Sequence, residues 1–160
     1  MPGDLKWAVD YMGRESAPIV TIDDFSTDAP ALDESLASAP FFPVTGGTSF
    51  YRHRPTGYET ITAERHRQYG ERLMRELEGN APGGDFIRGD AALFERIHSM
   101  EAAFNLLVIY RSASPHSGDV APSTPLDADP RNGRLSINSF LNFQAPKTTP
   151  VDPRALHGSL

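Results

Sequence analysis

Imidazoles and guanidinium groups are the side chains in this chain with the plainest chemical capacity. His116 stands first among them, because it follows an apolar run and precedes Ser117-Gly118-Asp119. The end of a buried strand with a glycine turn behind it is where barrels present ligands and bases. A loop histidine held by an ordinary hydrogen bond would have the same local sequence. In the run Arg134 to Phe143, a two-residue period sets Arg134, Ser136 and Asn138 on one face, with Leu135, Ile137, Leu141 and Phe143 on or near the other. A cation with two hydrogen-bonding neighbours suits a pocket for a small carboxylate, since guanidinium binds carboxylate bidentately. A solvated strand face would look the same. Arg52 and Arg54 lie opposite the face shared by Tyr51 and His53, and are read either as an anion site or as structural ion pairs. His66 and His98 are both expected in helices. There His98 and Glu101, spaced i,i+3, could bring two metal ligands together, although a single such pair is common by chance.

Other chemistries fall away. The chain has no cysteine, so a thiolate nucleophile and a thiolate metal site are excluded, and any metal would be held by imidazole and carboxylate. Iron, manganese or zinc would fit such donors. No serine sits in a Gly-x-Ser-x-Gly elbow, and there is no phosphate loop or dinucleotide fingerprint. No residue is assigned as catalytic.

The elements that must position these groups are short. The 14 prolines and 13 glycines among 160 residues make much of the chain loop. We expect one domain over residues 18–144, a loosely ordered lead-in over 1–17 and a flexible tail over 145–160. Pro18 to Ile22 is β-branched and apolar, a strand. Ser26 and Asp28 are placed to cap a helix carrying Leu32 and Leu36. Gly46-Gly47 allow close backbone approach before a strand through Tyr51 and His53. Thr62 to Glu78 is a helix with Tyr69, Leu73 and Leu77 in a stripe, its charged face a solvated surface with i,i+4 pairs. Asp90 caps a second helix carrying Leu93, Phe94 and Ile97 inward. Phe104 to Ser112 is nearly all apolar at its centre, a strand buried on both faces or the wall of a barrel. Between His116 and Arg134, three prolines and three aspartates compose a loop.

A net charge of −6 and a pI near 5.3 argue against nucleic-acid or anionic-membrane partners and for a small molecule. No run approaches the length of a membrane span, and a cytoplasmic protein is expected.

Four ordered blocks then carry a resemblance: Gly46 to Arg54 with Gly57-Tyr58-Glu59, Phe104 to Tyr110, His116 to Asp119, and Gly133 to Phe140. Together they resemble an uncharacterised bacterial family of unknown function, DUF6445-like, itself similar to the Fe(II) and 2-oxoglutarate-dependent oxygenases. The resemblance implies an α+β fold: a partial double-stranded β-helix, a cupin-like jelly-roll sheet, with two or three flanking helices. It also implies a hydroxylase ancestry with Fe(II) and 2-oxoglutarate as cofactors, His116 matching the distal iron ligand and Arg134 with Ser136 the cosubstrate clamp. This chain departs from the pattern, because no histidine is followed two residues later by Asp or Glu. The chain resembles a shortened member, with Pro43 followed almost at once by Gly46, whose incomplete barrel would invite a homodimer through an uncovered sheet edge. The alternative is a non-catalytic binding or interaction domain with an arginine-lined pocket.

Overall fold

The computed structural model describes residues 5–26, 46–79, 86–120 and 138–142. The described residues are α+β, with two small antiparallel sheets and one helix. Strands β1 (Lys6–Met12) and β2 (Ala17–Asp23) form a hairpin, and β5 (Leu107–Tyr110) adds to the far side of β2. The second sheet has β3 (Thr48–His53) at its centre, between β4 (Phe94–Met100) and β6 (His116–Gly118).

The hairpin was hidden in the expected lead-in. Trp7, Val9 and Tyr11 alternate with Lys6, Ala8 and Asp10, a period of two, and the turn closes because Gly13 and Ser16 both take positive φ. Residues 6–12 are therefore a strand. Met12, Ala17 and Ile19 turn inward onto Phe50, with Val108, Tyr110, Ile97 and Met100 packed around them. That cluster joins the two sheets.

β3 is the most deeply buried strand, because it carries a side chain for a neighbour on either face. Phe50 and Arg52 lie on one side, with Ser49, Tyr51 and His53 on the other. At its start Gly47 lies against the Met100 carbonyl, where a Cβ would collide with the backbone. The close approach expected of the glycine pair is therefore real. The ladder with β4 is interrupted by a bulge: Phe50 faces His98, the next residue Tyr51 faces Arg96, and Ile97 is the extra residue.

The helix α1 (Ala63–Gly79) forms as expected. The Thr62 carbonyl receives the amides of Arg65 and His66, and Tyr69, Leu73 and Leu77 are half-buried while Arg67 and Arg72 reach Glu71 and Glu76 on the outside. No described helix is long and apolar enough to cross a membrane.

Three further expectations are corrected. The second helix does not exist: residues 94–100 are β4, and Asp90 instead receives the Arg96 amide at 2.8 Å across a turn. The 104–112 run is a strand only over Leu107–Tyr110. It sits at a sheet edge and is not buried on both faces, with Phe104 49% and Ile109 37% exposed. Asn105 breaks the run, adopting positive φ and exchanging hydrogen bonds with Ser26 through its side-chain amide. Asn138 to Asn142 are exposed and carry no strand, whereas the helix expected near Leu32 and Leu36 lies outside the described residues.

Candidate functional site

Two regions of the second sheet gather polar groups, and their chemistry differs. The first is centred on Arg52. Its Nε donates to Glu59 Oε1 at 2.7 Å and its Nη1 to Glu95 Oε2 at 2.7 Å. Glu59 is 2% exposed. Burial opposes its ionisation, but the amides of Glu15 and Arg14 and the Arg52 guanidinium together outweigh that and hold its carboxyl below the usual range. The amide of Glu15 donates at 2.9 Å, and Gly13 leaves the room this carboxylate occupies. Arg65 extends the network by bonding Glu15 at 2.6 Å and lying 4.5 Å over the Tyr58 ring. Arg54 pairs with Asp90 at 3.1 Å. Of the two sequence readings of Arg52 and Arg54, ion pairing is the one the geometry shows. The network clasps the β1–β2 turn to the second sheet.

The second region is built around His116. On β6 it stands directly opposite Phe50, while His98 on β4 stands opposite Phe50 from the other side. The phenyl ring therefore separates the two imidazoles, with centroids 6.1 Å to His98 and 6.2 Å to His116. Tyr110 meets the His116 ring edge-on at 4.9 Å. The His116 Nδ1 lies 2.8 Å from the Ser114 carbonyl. A carbonyl only accepts, so Nδ1 carries the proton, and in the neutral ring Nε2 is left with its lone pair and no partner among the described residues.

His116 lies on the wall of an open groove of about 470 Å³, together with Ile61, His66, Tyr69 and Ser112 to Pro115. Burial pushes the Tyr69 phenol up, so it stays a neutral donor. The Ser114 hydroxyl, just beneath the wall, is buried and has no hydrogen-bond partner. Apolar walls with a few convergent polar atoms are the usual composition of a small-molecule site. The sequence pointed to His116 alone. His66 and Tyr69 read there as ordinary helix residues, and only the docking of α1 beside the 112–116 turn brings them to it.

His98 is not on a helix, so its expected i,i+3 partnership with Glu101 is lost on the strand β4. His53 is fully buried, bonded through Nδ1 to Thr56 at 2.9 Å and packed against Tyr69 and Phe94. Burial pushes its imidazole below the ordinary value, which makes it a core group. Arg134 and Ser136 lie outside the described residues, and Asn138 is exposed.

Residues 41–141 match a family of unknown function, DUF6445. The chain belongs to that family. The match takes in β3, α1, β4, β5, β6 and the groove, while the β1–β2 hairpin precedes it. No curated protein and no solved structure matches the chain.

An Fe(II) site would need imidazole and carboxylate donors grouped together. Among the described residues no three His, Asp or Glu side chains are grouped to hold a metal ion. His116 offers one lone pair, and its nearest strand-borne imidazole is screened by Phe50. A single lone pair does not make a chelate. The described residues therefore do not fit iron by themselves, and no reaction step is derived through it.

Proposed function

We propose that this DUF6445 domain is a non-catalytic binding domain of oxygenase-like ancestry that takes a small carboxylate into the groove beside His116. The observation that carries the reading is the groove itself, which gathers the His116, His66 and Tyr69 side chains beside an apolar wall. Among the described residues the exposed His116 ring leaves Nε2 without a protein partner, whereas Arg52 and Glu59 are paired with each other nearby. In the neutral ring Nε2 accepts, so it suits a hydroxyl or amide of the ligand. When the ring carries both protons Nε2 donates, which suits a carboxylate. Tyr69 adds a neutral donor over an apolar wall formed with Ile61. The two three-stranded sheets meeting at Phe50 would be part of a jelly roll, with the cytoplasm as its setting.

A second reading, an active Fe(II) and 2-oxoglutarate-dependent hydroxylase, is favoured by one feature. Metal-ligating histidines commonly tie their other ring nitrogen to a carbonyl, as His116 does to Ser114. In that reading Arg134 and Ser136 hold the cosubstrate. Anaerobic titration with 2-oxoglutarate, followed by calorimetry with and without Fe(II) and then by succinate release in air, separates the two. Metal-independent binding lost in His116→Ala, with no succinate, supports the binding domain. Succinate release supports the enzyme, and the absence of any binding refutes the groove as a carboxylate site.

A further inference from the structure

The sheet β1-β2-β5 turns one face to the core, and the opposite face is apolar across all three strands. Trp7, Val9 and Tyr11 stand in register beside Ile22, Val20 and Pro18, and Val20 and Ile22 beside Ile109 and Leu107. Trp7 is 69% exposed and Tyr11 63%. Leu5 is exposed next to them. Among the described residues the apolar area of this face is on the order of 600 Å², at the upper end for a monomer.

Among the described residues β1 is also a sheet edge. Its last-but-one rung pairs Tyr11 with Pro18, which has no N–H to give, and the Tyr11 amide donates to the Asp10 carboxylate at 2.8 Å. That rung is therefore of the type whose amides point away from the partner, and alternation makes the rungs of Trp7 and Val9 the same. Their N–H and C=O groups face an edge that no described strand occupies.

We infer that two copies of this chain pair through β1, antiparallel about Ala8, to make one continuous sheet. In that register Lys6 meets Asp10 of the second copy, and Asp10 meets its Lys6. On the other face Trp7 meets Val9, and Leu5 meets Tyr11. The centring on Ala8 follows from the chain, since Lys6 and Asp10 are equidistant from it on the same face. The outward amides of Trp7, Val9 and Tyr11 fall on the hydrogen-bonded rungs, and the charged pairs fall on the closer rungs between them. On pairing, Asp10 leaves the Tyr11 amide to the ladder and turns to the lysine opposite. In the free chain that carboxylate shields the edge, a common guard against indiscriminate pairing.

Sedimentation equilibrium of the full chain from micromolar to submillimolar concentration tests the pairing. Trp7 is the only tryptophan, so its emission reports burial of the edge directly. A dimer whose formation shifts Trp7 emission to the blue is expected. Lys6→Glu and Asp10→Lys each set two like charges across the axis and should weaken pairing by about tenfold or more. An equimolar mixture of these two variants restores both ion pairs and should form a heterodimer. A wild type that stays monomeric throughout, single variants that dimerise as well as wild type, or a mixture that fails to associate would each overturn the proposal. Trp7 emission already blue-shifted in a monomer would also overturn it, since the chain would then be covering its own edge.

Discussion

The clasp at Arg52 and the groove at His116 lie on the same three-stranded sheet, and both are rich in polar side chains. At the clasp nearly every donor meets an acceptor: Arg52 reaches two carboxylates, and Glu59 receives a guanidinium and the amides of the β1–β2 turn. At the groove His116 is exposed and is tied to the protein by Nδ1 alone among the described residues. Buried polar groups are costly unless paired, so the saturated set is understood as architecture, whereas an exposed ring on the wall of a groove can meet a ligand. Polarity alone does not separate structure from function.

Breaking the clasp should have the largest effect. Glu59→Ala leaves the Arg52 cation buried beside a lost partner, and a loss of about 3–5 kcal/mol in unfolding free energy is expected from urea denaturation. A loss below about 1 kcal/mol would show that water reaches the clasp and that the comparison is overdrawn. Gly13→Ala should come next, at about 2 kcal/mol, because the position has positive φ and the new methyl strikes the Glu59 carboxylate.

Acid offers a graded way to open the same region. Glu59 is held below its ordinary range and His53 below its own, so for both groups the unfolded chain binds more protons than the folded one. Stability should therefore rise with pH. The His53 contribution is complete above about pH 6.5 and begins to fade below it, and that of Glu59 fades below about pH 4.3. Thermal melts from pH 8 to about pH 2.5 should fall in two stages. In His53→Phe the upper stage should be absent.

The groove should respond in the opposite manner. His116→Ala removes an exposed ring and should change stability by no more than about 0.5 kcal/mol while abolishing carboxylate binding. Arg72→Ala, which removes an exposed helix pair with Glu76, sets the floor at about 0.3 kcal/mol with binding intact. A His116 variant that unfolds the domain would place that residue with the clasp.

The sequence made some elements plain for reasons the structure explains. α1 was legible because Tyr69, Leu73 and Leu77 keep one period throughout, and β2 because its β-branched run is uninterrupted. β4 was not, because the extra residue at the bulge scrambles a two-residue alternation and leaves Leu93, Phe94 and Ile97 at a spacing that imitates a helix. β1 was missed because its apolar side faces outward, where a reader of burial does not look. At the groove His116 stood out by its place after an apolar run, but nothing local marks His66 or Ser114. Their roles arise from where α1 docks, which is tertiary information.

The extra residue in β4 has one more effect. Were the ladder uninterrupted beyond Phe50 and His98, Arg96 would stand across from Arg52 and Glu95 across from His53, setting two guanidinium groups against each other in the interior. With Ile97 looped out, Glu95 meets Arg52 and Phe94 meets His53. An irregularity of a single residue thus acts as a ratchet tooth, letting the strands mesh in one alignment and opposing a slip by mutual repulsion of cations.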